Sequence, residues 1–171
     1  MSDRTAGAGI IRDATAQDFP VILALNSESE SFLSPLSLAR LEGLHRQAWT
    51  HRVACLDGEV AAFLLTLAPG ADYDSPNYRW FAERYVRFVY IDRIVVSAAA
   101  REARLASKLY EDLLLHVRAA GISTVTCEFD TDPPNEASRR FHARFGFVEV
   151  GSQHVGVKRK RVSLQVLTLG T

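Results

Sequence analysis

Three cationic side chains, Arg101, Arg104 and Lys108, stand where an apolar strand runs through an alanine-rich turn into a helix. The run reads Val96-Ser-Ala-Ala-Ala-Arg-Glu-Ala-Arg-Leu-Ala-Ser-Lys-Leu109. The first turn of a helix leaves backbone N–H groups without partners, and the positive end of the helix dipole adds to their pull on an anion. With three cations beside it, such a turn can hold a phosphate. The same residues also fit a plain strand-to-helix connection with solvated charges, since strand–turn–helix units are common. The run contains no glycine, so it is neither a Walker loop nor a dinucleotide fingerprint.

A second polar set is Asn135, Ser138 and His142, whose offsets of three and seven place them on one helical stripe. Ala137, Phe141 and Phe145 form another stripe, which reads as the core face. An imidazole titrates near neutral pH and can give or take a proton. A lone helical histidine is more often a surface or hydrogen-bonded structural residue, and alignment with Asn and Ser shifts that balance only modestly.

The elements that must carry these groups follow from periodicity and turn chemistry. Ile10–Arg12 begins the chain's first strand, and Asp13-Ala-Thr15 caps a helix through about Leu25. Leu36, Leu38, Leu41, Leu44 and Ala48 give a second helical stripe. His51–Leu56 and Val60–Leu67 flank Asp57-Gly58, a strong hairpin signal. Pro69–Tyr85 reads as an aromatic-rich connection and Arg87–Val96 as a long strand. A helix follows from about Arg104, with Leu105, Leu109, Leu113 and Val117 on one stripe and Gly121 as its stop. Ser123–Phe129 is a strand, Glu136–Phe145 a helix begun by Asn135 and ended by Gly146, and Phe147–Val150 and Val162–Leu169 are final strands. The order β-α-α-β-β-β-α-β-α-β-β predicts an α/β fold, a mixed and mostly antiparallel central sheet with helices on both faces. No repeat or linker divides it, so residues 1–171 read as a single domain.

Lys and Arg number 20 against 20 Asp and Glu, a net charge of zero that argues against a general nucleic-acid coat or an anionic-membrane binder. The last 41 residues hold 7 basic and 3 acidic groups, so a local cationic region remains. Lys158-Arg-Lys-Arg161 reads as a solvated turn before a strand, with an interaction module as its alternative. Cys55 and Cys127 make no disulfide framework, and residues 1–9 contain no apolar leader stretch. A cytoplasmic location is the expectation. His45, His51, His116 and His154 have no ligand spacing, so no metal is expected.

The two polar segments together resemble the GNAT superfamily of acyl-CoA-dependent N-acetyltransferases. Its cofactor motif, a strand ending in Val and then Arg/Gln-x-x-Gly-x-Gly/Ala, is similar to Val96 and Arg101-Glu-Ala-Arg-Leu-Ala106. Its later motif, Asn-x-x-Ala-x-x-Phe-Tyr-x-x-x-Gly-Phe, runs without gaps from Asn135 to Phe147. Ser34-Pro-Leu, Asp74-Ser-Pro-Asn-Tyr and Cys127-Glu-Phe-Asp resemble a branch known mainly as predicted acetyltransferases.

The resemblance implies acetyl-CoA as acyl donor and direct attack by a primary amine of a small molecule or peptide. The pantetheine arm would pair with Ile94 and Val96. Backbone N–H groups of Arg101, Glu102, Ala103, Arg104, Ala106 and Ser107 would hold the pyrophosphate, and Asn135 and Ser138 would touch the cofactor. Arg104 stands at the motif's glycine and fits if its backbone is helical. Glu102 opposes an anion unless it points away. The family's tyrosine acid corresponds to His142, whose imidazolium can protonate a thiolate. The base corresponds to Asp92 or Glu128, and a structural carboxylate is the alternative for each. Asp92, Ile94 and Val96 share one strand face. Tyr73, Tyr78, Trp80, Phe81 and Tyr85 would wall an acceptor pocket with Phe32 and Leu33, or form a satellite core or a dimer contact. A non-catalytic acyl-CoA-binding module is the rival reading. A homodimer is compatible, and neither a membrane nor a nucleic acid is expected as partner.

Overall fold

The computed structural model describes residues 9–170; segment 1–8, where the leader stretch was sought, lies outside the described residues. Strands β1 (Ile10–Asp13), β2 (Thr50–Leu56), β3 (Glu59–Leu67), β4 (Val89–Val96), β5 (Thr124–Asp132), β6 (Val148–Val155) and β7 (Lys160–Thr168) form one mixed sheet. Their order is β1-β2-β3-β4-β5-β7-β6. Strands β4 and β5 run parallel, meeting at Val89↔Val125 and Tyr90↔Thr126, while β1–β2, β2–β3, β5–β7 and β6–β7 pair antiparallel. The α-helices of the described residues are α1 (Phe19–Glu28), α2 (Leu38–Gln47), α3 (Pro76–Ala82), α4 (Leu105–Ala119) and α5 (Glu136–Phe145). The chain divides into two compact units, Met1–Thr66 with Arg93–His116 and Leu67–Asp92 with Val117–Thr171.

In the first unit, Asp57 and Gly58 turn β2 into β3 with φ of 51° and 84°. Positive φ at both central residues matches the right-handed twist of the flanking strands. Leu105, Leu109 and Leu113 of α4 are at most 1% exposed, so the apolar stripe is a core face. Truncating one of them to alanine costs about 2–5 kcal/mol. Arg52 on β2 grips both carboxylate oxygens of Asp112 on α4, at 3.0 and 3.1 Å. The face of β4 opposite Ile94 and Val96 is buried and carries Arg93. Its guanidinium donates to Asn26 Oδ1 at 2.8 Å and to the Ser34 carbonyl and hydroxyl at 3.3 Å each, joining the end of α1 and the following turn to β4.

In the second unit, the segment expected to be an irregular connection contains α3. Ser75 caps it by accepting the Tyr78 N–H at 3.3 Å, and Pro76 supplies helix-ready φ in the first turn. A helix this short has too few residues for periodicity to announce it. Strand β6 continues five residues past the expected Val150, and Lys158–Arg161 falls at the turn into β7. Lys160 pairs with Asp130 at 3.0 Å, and Arg161 donates to Ser152 Oγ at 3.3 Å.

Helix α5 starts and stops as predicted. Asn135 Oδ1 accepts the Ser138 N–H at 3.1 Å, and Gly146 closes the helix at φ 93°. Its faces are reversed from expectation. Ala137 is exposed and Phe141 and Phe145 only half-buried, whereas His142 is 3% exposed. The imidazole fills the core position because Phe129, Phe141 and Phe147 surround it, with ring centroids 5.6, 5.3 and 5.2 Å away.

Candidate active site

In the first unit, alternation along β4 leaves Ile94 and Val96 partly exposed. The chain leaves the strand through Ser97, whose N–H is held by the Ala61 carbonyl at 2.8 Å, and winds through a 3-10 turn, Ala98–Ala103. Arg104 then adopts left-handed backbone, φ 56° and ψ 31°, before α4 begins at Leu105. The condition set for Arg104, a right-handed helical backbone, is not met. An L-residue in this conformation carries about 1–2 kcal/mol of strain that glycine escapes. Arg101, Glu102 and Arg104 are exposed, and Ala103, Ala106, Ser107 and Lys108 partly so. Among the described residues none of the three cations makes an ion pair. The N–H groups of the first α4 turn and three unneutralised cations therefore occupy one short stretch. That combination attracts a multiply charged anion.

In the second unit, β4 and β5 bring Tyr90, Asp92 and Glu128 together. The Glu128 carboxyl is buried, although part of the residue reaches the surface. Its Oε1 accepts the Tyr90 hydroxyl at 2.9 Å, and Oε2 has no hydrogen-bond partner. Burial, with the nearby Asp92 and Asp130 charges as smaller contributions, raises its pKa to about 8, against the opposing pull of Tyr90 and Asn77. The Asn77 amide lies near enough to act on that charge without meeting hydrogen-bond geometry at Oε2. Asp92 accepts a short hydrogen bond from the Tyr73 hydroxyl. Burial drives the Tyr90 phenol well above its ordinary value, so it is a hydrogen-bond donor at every working pH. Cys127, next to Glu128, is likewise pushed up by burial and stays a thiol.

The aromatic segment supports this cluster from below. Tyr78 and Phe81 are buried, and Tyr78 packs edge-on against Tyr73 and Tyr90 at 5.8 and 5.5 Å. The Tyr78 hydroxyl donates to the Ala68 carbonyl at 2.7 Å and accepts the Ala71 N–H at 3.0 Å, pinning the chain before α3. Trp80 and Tyr85 are half-buried. Phe32 is exposed in the other unit. On α5, Nδ1 of His142 donates to the Ser138 carbonyl at 2.8 Å and lies 3.1 Å from the Ser138 hydroxyl. Burial lowers its pKa.

The family model for the acetyltransferase (GNAT) family matches residues 13–147, most of the chain. The chain belongs to the GNAT acetyltransferase family. It is an N-acetyltransferase. Its fold is similar to Ard1 from Thermoplasma volcanium, at 19% identity and TM-score 0.79 over 96% of this chain and 99% of that one. It is also similar to an N-acetyltransferase from Staphylococcus aureus Mu50, at 24% identity and TM-score 0.73 over 95% and 99% of the two chains. YncA from Salmonella typhimurium, solved with its cofactor acetyl-CoA, matches at 20% identity and TM-score 0.68 over 95% of each chain. A comparison with curated proteins finds no match.

Within this GNAT chain, Asp92 and Glu128 fall in one cluster with Tyr73, Tyr90 and Asn77. His142 sits elsewhere in the same unit, among phenyl rings. Tyr90 and Asn77 were not foreseen, since nothing in local spacing links β4 or α3 to a carboxylate on β5. Residue type alone hinted at Tyr73, within the aromatic run. His45 and His51, six residues apart, meet with Nδ1 atoms 2.8 Å apart, and burial lowers His51 to about 4. Among the described residues no group of three His, Cys, Asp or Glu could hold a metal ion, and no helix is long and apolar enough to cross a membrane.

Proposed function

We propose that residues 1–171 act as one catalytic domain that moves the acetyl group of acetyl-CoA to a primary amine, with Glu128 as the base. The observation that carries this reading is the Glu128 carboxyl, buried, titrating near 8, and held on one oxygen while the other has no partner. A base with a pKa near the working pH combines a useful ionised fraction with real proton affinity. Oε2 would accept the proton of the acceptor ammonium, and the Tyr90 hydroxyl would steady Oε1 through the change. The freed amine attacks the thioester carbonyl; a C–N bond forms, the C–S bond breaks, the now cationic nitrogen gives its second proton to solvent, and CoA leaves as a thiolate. That thiolate takes its proton from solvent, a thiol of ordinary pKa of about 8.5 needing little help near pH 8. Asp92, tied to Tyr73, adds negative charge that favours a cationic acceptor.

Ile94 and Val96 on the exposed face of β4 would pair with pantetheine amides. Arg101, Arg104 and the N–H groups from Ala103 to Ser107 would receive the pyrophosphate, with Glu102 exposed and free to turn outward. Asn135 and Ser138 lie on α5, where Asn135's side-chain oxygen already caps the helix and leaves its NH2 for the cofactor. His142 takes a packing role in this reading. Its Nδ1–H is committed to the Ser138 carbonyl, and burial disfavours the imidazolium a proton donor would need. Buried free thiols at Cys55 and Cys127 fit a cytoplasmic location.

The test pairs acetyl-CoA calorimetry with turnover on a panel of small amines and peptides. Glu128→Gln should keep acetyl-CoA affinity and lower kcat/KM by about 10²–10⁴-fold, removing a rise in rate through pH 8. Unchanged turnover and an unchanged pH profile would remove Glu128 from the mechanism. Tight acetyl-CoA binding by the native protein with no turnover on any amine would favour the non-catalytic module.

A further inference from the structure

Four rings follow one another through the first unit: Phe19 at the start of α1, His45 in the last turn of α2, His51 on β2 and Phe63 on β3. Successive centroids are 5.1, 5.1 and 6.2 Å apart, each pair meeting edge to face. At the centre the two imidazoles touch through nitrogen, Nδ1 to Nδ1 at 2.8 Å. His45 is partly exposed. His51 is only 6% exposed, and its Nε2 is buried without a hydrogen-bond partner.

Counting hydrogens fixes what this contact can carry. A neutral imidazole holds one ring N–H and an imidazolium two. Nitrogens this close share a single hydrogen, since two would collide and none would leave lone pairs opposed. Two neutral arrangements satisfy the contact. In one, His51 donates from Nδ1 and the hydrogen of His45 sits on its own Nε2. In the other, His45 donates and the hydrogen of His51 sits on the buried Nε2, where nothing accepts it. A buried donor without an acceptor is costly, so the first arrangement prevails. A third hydrogen removes that choice. Whichever ring takes the charge, one hydrogen stays in the contact and the other two fall on the two Nε2 atoms. Every charged arrangement that keeps the contact therefore puts an unpaired N–H inside the protein.

We infer that His45 and His51 form a proton-operated latch between α2 and β2, closed by one Nδ1–H···Nδ1 bond from His51 and opened by acid. Burial, and then the charge of His45, lowers His51 to about 4 and acts in the same sense. Asp18, in the turn before α1, favours a charged ring. Its pull is offset, because each of its oxygens accepts from Arg12 of β1 at 2.8 Å. Phe19 and Phe63 bring no charge. Glu42 and Arg46 of α2 are exposed, and Arg52, next along β2, is engaged by Asp13 and Asp112. The latch does not depend on the role of Glu128.

The experiment is nitrogen NMR of the native protein labelled in its histidine rings. At about pH 7.5, where histidines are largely neutral, His51 should show a protonated Nδ1 and a bare Nε2. A spin coupling should pass between the two Nδ1 nuclei through the shared hydrogen. On acidification to about pH 4 that coupling should vanish, and hydrogen-exchange protection of the last α2 turn should fall about tenfold. The folded His51 binds its proton less tightly than the ordinary 6.5. The latch therefore adds full stability above about 6.5 and loses it as the pH falls toward 4. Relative to His51→Phe, which keeps a ring without the proton, the native unfolding constant should rise on the order of 100-fold across that window. A proton on Nε2 of His51 near neutral pH would overturn the inference. So would a coupling and an α2 protection that persist unchanged in acid, or a His51→Phe protein with the native pH dependence. Should that variant fail to fold, the native spectra decide alone.

Discussion

The turn from Ser97 to Lys108 and the carboxyl cluster around Glu128 meet opposite electrostatic demands. At the turn the charges are exposed, unpaired and contributed by one short stretch of chain. At the cluster they are drawn into the fold, hydrogen-bonded, and contributed by two neighbouring strands, β4 and β5. An anion carried by a large, flexible ligand can be attracted by surface cations and free N–H groups. A carboxylate must leave water before its proton affinity approaches that of an amine. Exposure is thus compatible with the first task and defeats the second. The comparison also shows where strain is tolerated. Arg104 keeps a left-handed backbone that glycine would adopt freely, and in exchange places a guanidinium at the helix start.

The sharpest way to break the comparison is a stability measurement. Glu128 titrates at about 8 in the folded protein against an ordinary 4.5, so the folded state holds its proton more tightly than the unfolded one. Its contribution to stability is present below about 4.5 and is lost as pH rises toward 8. Glu128→Gln should therefore match the native protein in denaturant melts near pH 4. It should exceed it on the order of a few kcal/mol at pH 9. Equal stabilities at both pH values would mean that the carboxyl is solvated and the two regions are alike.

At the turn, Arg104 separates charge from backbone. Arg104→Glu should weaken acetyl-CoA binding about tenfold in calorimetry, more at low salt than at high. Arg104→Gly should relieve the left-handed strain and raise the unfolding free energy by up to about 1 kcal/mol, offset by glycine's greater freedom in the unfolded chain. Its loss of acetyl-CoA affinity should be smaller than that of Arg104→Glu. Identical affinities in the two variants would assign the effect to backbone shape alone. The smallest expected effect concerns His142. His142→Leu should leave kcat within about twofold while lowering stability by about 1 kcal/mol, through loss of the ring N–H bond to the Ser138 carbonyl. A large drop in kcat with unaltered stability would restore an acid role to the imidazole.

Legibility followed sequence distance. The α5 caps, the Asp57-Gly58 hairpin and the α4 stripe are encoded within a few residues, and all three appear where turn chemistry and periodicity put them. Helix α3 was missed because seven residues rich in aromatics give no resolvable period. The faces of α5 were reversed because helical spacing shows which residues align, not which stripe meets the sheet. A histidine ringed by three phenyl groups outcompetes an alanine for the interior.

By itself the sequence determined the order of the elements other than α3, the family motifs and the identity of the charged groups, since each depends on neighbours within a turn or two. It also carried Asp92 and Glu128 as a pair of candidates without choosing between them. Only the tertiary structure decided which carboxylate is buried, which oxygen lacks a partner, and that Tyr90 holds the other. Desolvation depends on everything that packs around a group, and residues separated by dozens of positions supply that packing here.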